Sequence, residues 1–298
     1  MTASNGPRFG VILMQDTTPA RLSERFRRIE ELGFDQLYLA DHMGDFRDVG
    51  GPFHDGWSML AAAAVQTERI RIGTLVANPI LRAPALLAKQ AITVDHLSGG
   101  RLDLGIGAGV FELDHHAVGS APWTVRERVG RFAEYVEILD GMLRGGGKPY
   151  TFDGAWYQVD DAPTAPGPVQ DPRPPIVVGG QAPTILRVTA QRADVWNTNG
   201  RFGAGVDEVV TLTREQNRRL DTLCAELGRD PATLRRSILL WDGTDPLRPG
   251  NRLEELVDRF TAVGIDDFVI GWPDQDDAAE VAEFERLVTV TVPGLRDR

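Results

Sequence analysis

Short apolar runs alternate with amphipathic stretches along the whole chain. The first run is Arg8–Leu13 (RFGVIL). Thr18-Pro19 then reads as an N-cap with proline at the first helical position. Leu22, Phe26, Ile29 and Leu32 recur at helical spacing, and Gly33 stops the helix. Further strands are expected at 35–41, 70–77, 101–109, 174–180, 193–199, 237–241 and 266–272. Helices are expected at 56–66, 83–97 and 124–143, from about Pro183, and where Val209 to Leu227, Leu253 to Val263 and Val281 to Val288 trace apolar stripes. One segment breaks the rhythm. Residues 150–159 (YTFDGAWYQV) alternate about Asp153-Gly154, which predicts a β-hairpin. The proline-rich residues 162–175 read as an ordered loop.

Strands alternating with helices imply a parallel sheet, and near-continuous apolar strands imply burial on both faces. Eight such units predict closure into a (β/α)₈ TIM barrel, with the hairpin inserted after the fourth helix. An open doubly wound sheet is the alternative. The 298 residues suit one domain over 1–298, because barrels of about 250 residues are routinely single domains.

Composition narrows the partners. A formal net charge of −11 repels nucleic acid and anionic membranes, so neither is expected. The lone Cys224 cannot form an internal disulfide, and it falls on a helix's apolar stripe, where packing explains it. The N-terminus lacks a basic and an apolar leader region. No stretch approaches the roughly 20 apolar residues needed to span a bilayer. A cytoplasmic location is expected.

In such a barrel the chemistry sits on loops after the strands' C-terminal ends. Asp41-His42 follows strand two. Histidine exchanges protons near neutral pH, and a neighbouring carboxylate can set its tautomer. The bland alternative is a capping Asp and a structural His. LGIGAG (residues 104–109) follows strand four, but its glycines run G-x-G-x-G and lack the dinucleotide spacing. Residues 110–113 show no immediate helix. The glycines either clear room for a flat ring or serve tight packing. Val178-Gly179-Gly180-Gln181 runs into a helix start, which suits an anion or is a plain turn. Glu112, Asp114, His115 and His116 match no metal spacing, so no metal is expected. His96 reads as a helix cap, and His54 as a residue of the mouth or an exposed one.

YLADH (38–42), RIRIGTLVANP (69–79), LSGGRLDLGIGAG (97–109) and PPIVVGG (174–180) together resemble the luciferase-like monooxygenase superfamily, in order and spacing, over nearly the whole chain. The resemblance implies a barrel binding FMN or the deazaflavin coenzyme F420 at its mouth. In the deazaflavin branch it gives Asp41 a cofactor contact and His42 proton transfer, with Asp41 orienting His42. It implies a bulge with a cis peptide at Leu75-Val76 and a ring contact at Asn78. Ala108, Gly109 and Leu113 match strand-four contacts, and Gly179, Gly180, Ala182 and Pro183 match the phosphate-side turn. Departures favour F420 over FMN: Asp41-His42 is followed by Met43, and no arginine stands near Ala108. Glucose-6-phosphate-oxidising members carry glutamate after the glycine run, where this chain has Val110, which argues against a sugar phosphate.

The implied activity is hydride transfer between F420 and a small, partly apolar organic substrate. Phe46, Phe53, Trp57, Phe111, Trp196 and Phe202 are candidates for lining the mouth. A homodimer is expected by family analogy. Three rivals stand: an FMN monooxygenase fed by a separate reductase, a non-catalytic flavin- or deazaflavin-binding protein, and a barrel lyase or aldolase. The last needs a strand-end lysine, and Lys89 and Lys148 are the only lysines.

Overall fold

The computed structural model describes residues 6–297; residues 1–5, part of the stretch read for a leader, lie outside it. Strand and helix alternate as β1 Arg8–Leu13, α1 Pro19–Glu31, β2 Gln36–Leu39, α2 Gly56–Gln66, β3 Arg71–Thr74, α3 Pro84–Ser98 and β4 Leu102–Ile106. The short α4 Glu112–Ala117 and long α5 Val125–Arg144 follow, then the hairpin β5 Tyr150–Asp153 and β6 Gln158–Ala162. The barrel resumes with β7 Ile176–Gly179, α6 Pro183–Arg192, β8 Val195–Thr198, α7 Val206–Glu226, β9 Arg235–Leu240, α8 Leu253–Thr261, β10 Asp267–Gly271, α9 Ala278–Arg286 and α10 Val292–Arg296.

Eight parallel strands close in the order β1-β10-β9-β8-β7-β4-β3-β2, with β5 and β6 forming a separate antiparallel pair. The open-sheet alternative is thereby set aside. Closure pairs Phe9 with Phe268 and Val11 with Leu37 on the two sides of β1. Strand side chains are buried inward and outward, which explains why the strands read as continuous apolar runs.

Local signals act as expected at several ends. Thr18 accepts a hydrogen bond from the Arg21 N–H at the start of α1, and Gly33 takes φ 80 just beyond its end. At α5, Thr124 and Glu127 form a reciprocal capping box. The hairpin is tied to α5 by Glu134, whose carboxylate accepts the N–H groups of Ala155, Trp156 and Tyr157 at 2.8 to 2.9 Å. Cys224 is buried in the core.

Two local expectations change. The segment after the glycine run contains a helix after all, α4. His96 does not cap α3: Gly99, at φ 65, ends that helix, and the His96 ring reaches the Gly167 carbonyl oxygen at 2.8 Å. It therefore fastens the long loop before β7 to the barrel.

Candidate active site

The β3–α3 connection builds the floor of the site. Leu75–Val76 is a cis peptide, as the resemblance implies. The bulge is stitched between strands: the Leu75 N–H donates to Leu39 O at 2.9 Å, and the Ala77 N–H donates to Gly105 O at 2.8 Å. The glycines around it serve this bulge. A Cβ on Gly105 would lie 1.8 Å from Thr74 O, and one on Gly107 would lie 2.4 Å from a Val76 methyl. A Cβ on Gly179 would meet the other Val76 methyl at 2.9 Å. The room these glycines make is thus filled by the Thr74 carbonyl and by Val76, not directly by a ligand. Their effect is to let the bulge settle flush against the barrel's C-terminal rim.

Above this floor opens a cavity of about 1540 Å³, large enough for a cofactor and a substrate together. His42, Leu75, Val76, Asn78, Ala108, Gly109, Gly179, Gly180 and Ala182 all line it. Leu113 and Pro183 do not: Leu113 is half-buried beside Gly44, and Pro183 is exposed at the start of α6. Asp41 is also absent from the lining and is buried behind the wall. Phe46, Phe111 and Phe202 line the cavity, whereas Trp57 and Trp196 are core residues. Phe53 and His54 stand outside the lining.

The pairing around His42 differs from the expected one. Its Nδ1 lies 2.7 Å from an Asp114 oxygen on α4. Asp114 also accepts from the Met43 N–H at 2.9 Å and from Asn78 Nδ2 at 2.7 Å. Asp41 instead accepts the Asn78 N–H at 2.8 Å and forms an ion pair with Arg82. Asp114, not Asp41, therefore orients the imidazole. The cause is α4, which swings Asp114 under the β2 loop while Asp41 turns toward the bulge.

The two carboxyls differ in electrostatics. Burial would raise Asp114, but His42, the Met43 N–H and Asn78 outweigh it and hold the group below the usual carboxylate value. Burial dominates at Asp41 and pushes it up, against Arg82 and the Asn78 N–H. An ionised Asp114 can only accept, so it keeps the His42 proton on Nδ1 and leaves the Nε2 lone pair for the cavity.

Asp114 is the His42 partner that the sequence does not reveal. It stood in a polar cluster weighed for metal binding, and it lies 72 residues from His42. Neither periodicity nor motif spacing joins the two. Trp241, just after β9, also lines the cavity, although the sequence reads it as a strand residue.

The turn from β7 to α6 gives the cavity a polar end. Ala182 is the N-cap of α6 and offers no side-chain acceptor, so the first N–H groups are free of a side-chain cap. Arg128, on the first turn of α5, also lines the cavity; its N–H donates to Thr124 O at 2.9 Å, and its guanidinium makes no hydrogen bond or ion pair among the described residues. A planar ring with a phosphate-bearing tail fits these features: a flat floor, room, uncapped helix N–H groups and an unpaired guanidinium.

The chain is similar to several known proteins. An F420-dependent glucose-6-phosphate dehydrogenase of Intrasporangium calvum is 31% identical over 241 residues, 75% of this chain and 70% of that protein. A protein of the same name from Beutenbergia cavernae is 33% identical over 167 residues, 55% of this chain and 48% of that one. Among solved structures, an F420-dependent secondary alcohol dehydrogenase in complex with an F420-acetone adduct superimposes with a TM-score of 0.77 at 20% identity, covering 94% of this chain and 98% of that one. The F420-dependent tetrahydromethanopterin reductase of Methanopyrus kandleri gives 0.75 at 17% identity, covering 97% and 99%. Both structures share the fold. The sequence also matches the luciferase-like monooxygenase family from residue 5 to residue 241, and the chain belongs to that family.

Proposed function

We propose that this protein is an F420-dependent oxidoreductase that moves a hydride between the deazaflavin and a small organic substrate. The observation that carries the reading is the His42–Asp114 pair, at 2.7 Å, on the wall of a cavity floored by the Leu75–Val76 bulge. When bound, the cofactor supplies hydride exchange, the part of the reaction that no side chain can perform. The protein supplies position and a proton.

Leu75, Val76 and Ala108 present apolar surface for a ring. Gly179, Gly180, Ala182 and the N-terminus of α6, with Arg128, would hold the phosphate end. Asp41 contributes through Asn78, whose N–H it fixes, and so shapes the floor rather than touching the reaction. His42 gives a proton to a substrate oxygen in reduction and takes one in oxidation. Asp114 holds Nδ1 throughout, so the exchange runs through Nε2. The F420-dependent relatives support the cofactor, and Met43 and Ala108 stand where an FMN-using luciferase would carry other groups.

Titration of the purified chain with F420, FMN and FAD tests the cofactor. F420 is expected to bind most tightly; FMN binding alone would overturn the reading. His42→Ala is expected to keep F420 affinity and to lose about 10²- to 10⁴-fold in turnover. Unchanged turnover would remove His42 from the chemistry.

A further inference from the structure

Four loops at the mouth each contribute one aromatic ring: Phe46 after β2, Phe111 after β4, Phe202 after β8 and Trp241 after β9. All four line the cavity. They form an unbroken series of ring contacts that starts on His42. The His42 ring meets Phe111 edge-on at 4.8 Å. Phe111 lies nearly parallel to Phe46, at 5.5 Å and 11°. Phe46 is perpendicular to Trp241, at 6.2 Å and 86°. Trp241 in turn meets Phe202 at 5.9 Å. The rings therefore present surfaces in two directions at right angles, a corner that a slab-shaped ligand fits better than a round one.

This surface is open. Phe202 is 76% exposed, Phe46 38%, and the adjoining Val110 60%. Contiguous aromatic surface left in water inside a cavity marks a binding wall. Trp241 is held in place by its indole N–H, which donates to Asn199 O at 2.9 Å.

Three arginines of these same loops are paired with carboxylates. Arg47 pairs with Asp45 at 2.6 Å, and Arg248 with Asp242 at 3.3 Å. Arg201 pairs with Glu208. Neither lysine lines the cavity, and the side chain after the glycine run is the neutral Val110. The four aromatic side chains themselves offer faces rather than charge.

We propose that the substrate is a neutral, flat, conjugated carbonyl compound, or the matching alcohol, seated by its ring on Phe46, Phe111 and Trp241 with its oxygen toward His42. The proposal rests on the oxidoreductase reading above. In reduction, the carbonyl carbon gains the hydride and its oxygen gains the His42 proton, so the C=O π bond becomes a C–H and an O–H bond. The proton released as the deazaflavin is oxidised by two electrons balances the one taken. Alcohol oxidation is the reverse.

Equilibrium binding to the full chain, with and without F420, tests this. The probes are 2-acetonaphthone, cyclohexyl methyl ketone and glucose 6-phosphate. The expected order places 2-acetonaphthone tightest. Trp241→Ala and Phe46→Ala should each weaken its binding threefold to tenfold, as aromatic contacts worth about 0.5–1.5 kcal/mol imply. Trp241→Phe should weaken it less than twofold, and F420 affinity should stay within twofold in all three variants, whose folding is checked by melting temperature. Displacement of 2-acetonaphthone by glucose 6-phosphate would overturn the proposal. Equal loss of F420 affinity in Trp241→Ala and Phe46→Ala would also overturn it, since the wall would then seat the cofactor. A chain that binds 2-acetonaphthone through the wall but binds no F420 would leave the seat standing and sink the cofactor reading instead.

Discussion

At the residue scale, the site depends on which carboxylate meets which partner. Asp41 and Asp114 are both buried, yet their environments push them in opposite directions. Asp114 is 1% exposed and receives three hydrogen bonds, from His42, Met43 and Asn78. Asp114→Asn breaks the logic of that cluster. An amide can donate to His42 Nδ1, which moves the ring proton to Nε2 and removes the base. Turnover is expected to fall about 10²-fold with F420 affinity retained, a split that steady-state kinetics beside binding titration would show. The same change has a pH signature. The folded carboxyl sits below its unfolded value, so its stabilisation is fully present above about pH 4 and is lost as pH falls through the folded value. Melting temperature followed from pH 6 to pH 3 should therefore drop less steeply below about pH 4 in Asp114→Asn than in the parent. Parallel acid limbs would show that Asp114 is not held ionised by these partners.

At the scale of elements, the bulge after β3 sets the constraint. Gly105 sits where a Cβ would lie 1.8 Å from the Thr74 carbonyl oxygen, a backbone atom that cannot swing aside. Gly105→Ala forces β3 and β4 apart beneath the site. Overpacking of this kind costs about 1–3 kcal/mol, and a lowered melting temperature with weaker F420 binding is the expected pair of results. The alternating pattern made the eight barrel strands legible, because each is short, apolar and bounded by turn residues. The hairpin was legible from Asp153-Gly154. The short α4 was not, since six residues are too few for a helical stripe to emerge. That is why the His42 partner stayed hidden: Asp114 reaches the imidazole only because α4 exists. Glycine spacing pointed to the right loops but not to what fills them, because a glycine records a close approach without naming the approaching atom. Val76 and Thr74 are those atoms here.

At the scale of the whole molecule, the barrel separates stability from chemistry. The cavity occupies the C-terminal ends of the strands, while the first residues of β1, β9 and β10 meet at the other rim. There Arg8 grips Asp267 through two bonds, at 2.9 and 2.7 Å, and Arg235 joins the same carboxylate. These contacts fasten the chain's first strand to its last and complete closure. Burial outweighs the arginines and pushes the Asp267 carboxyl up to about 6, from the usual 3.8. A carboxyl raised in the folded state favours folding while protonated, and that advantage is lost as pH rises through about 6. Arg8→Met withdraws a counter-charge and raises the folded value further, so its stability deficit must grow with pH. Arg8 is partly exposed, which tempers the usual cost of stranding a buried charge. A deficit of about 2 kcal/mol at pH 8, shrinking toward pH 5, is the expected result of paired denaturation curves. F420 affinity should change less than twofold, because the rim that fails lies a full strand length from the cavity. A deficit independent of pH would mean that Arg8 acts through packing alone, and a parallel loss of F420 binding would mean that the two ends of the barrel are coupled.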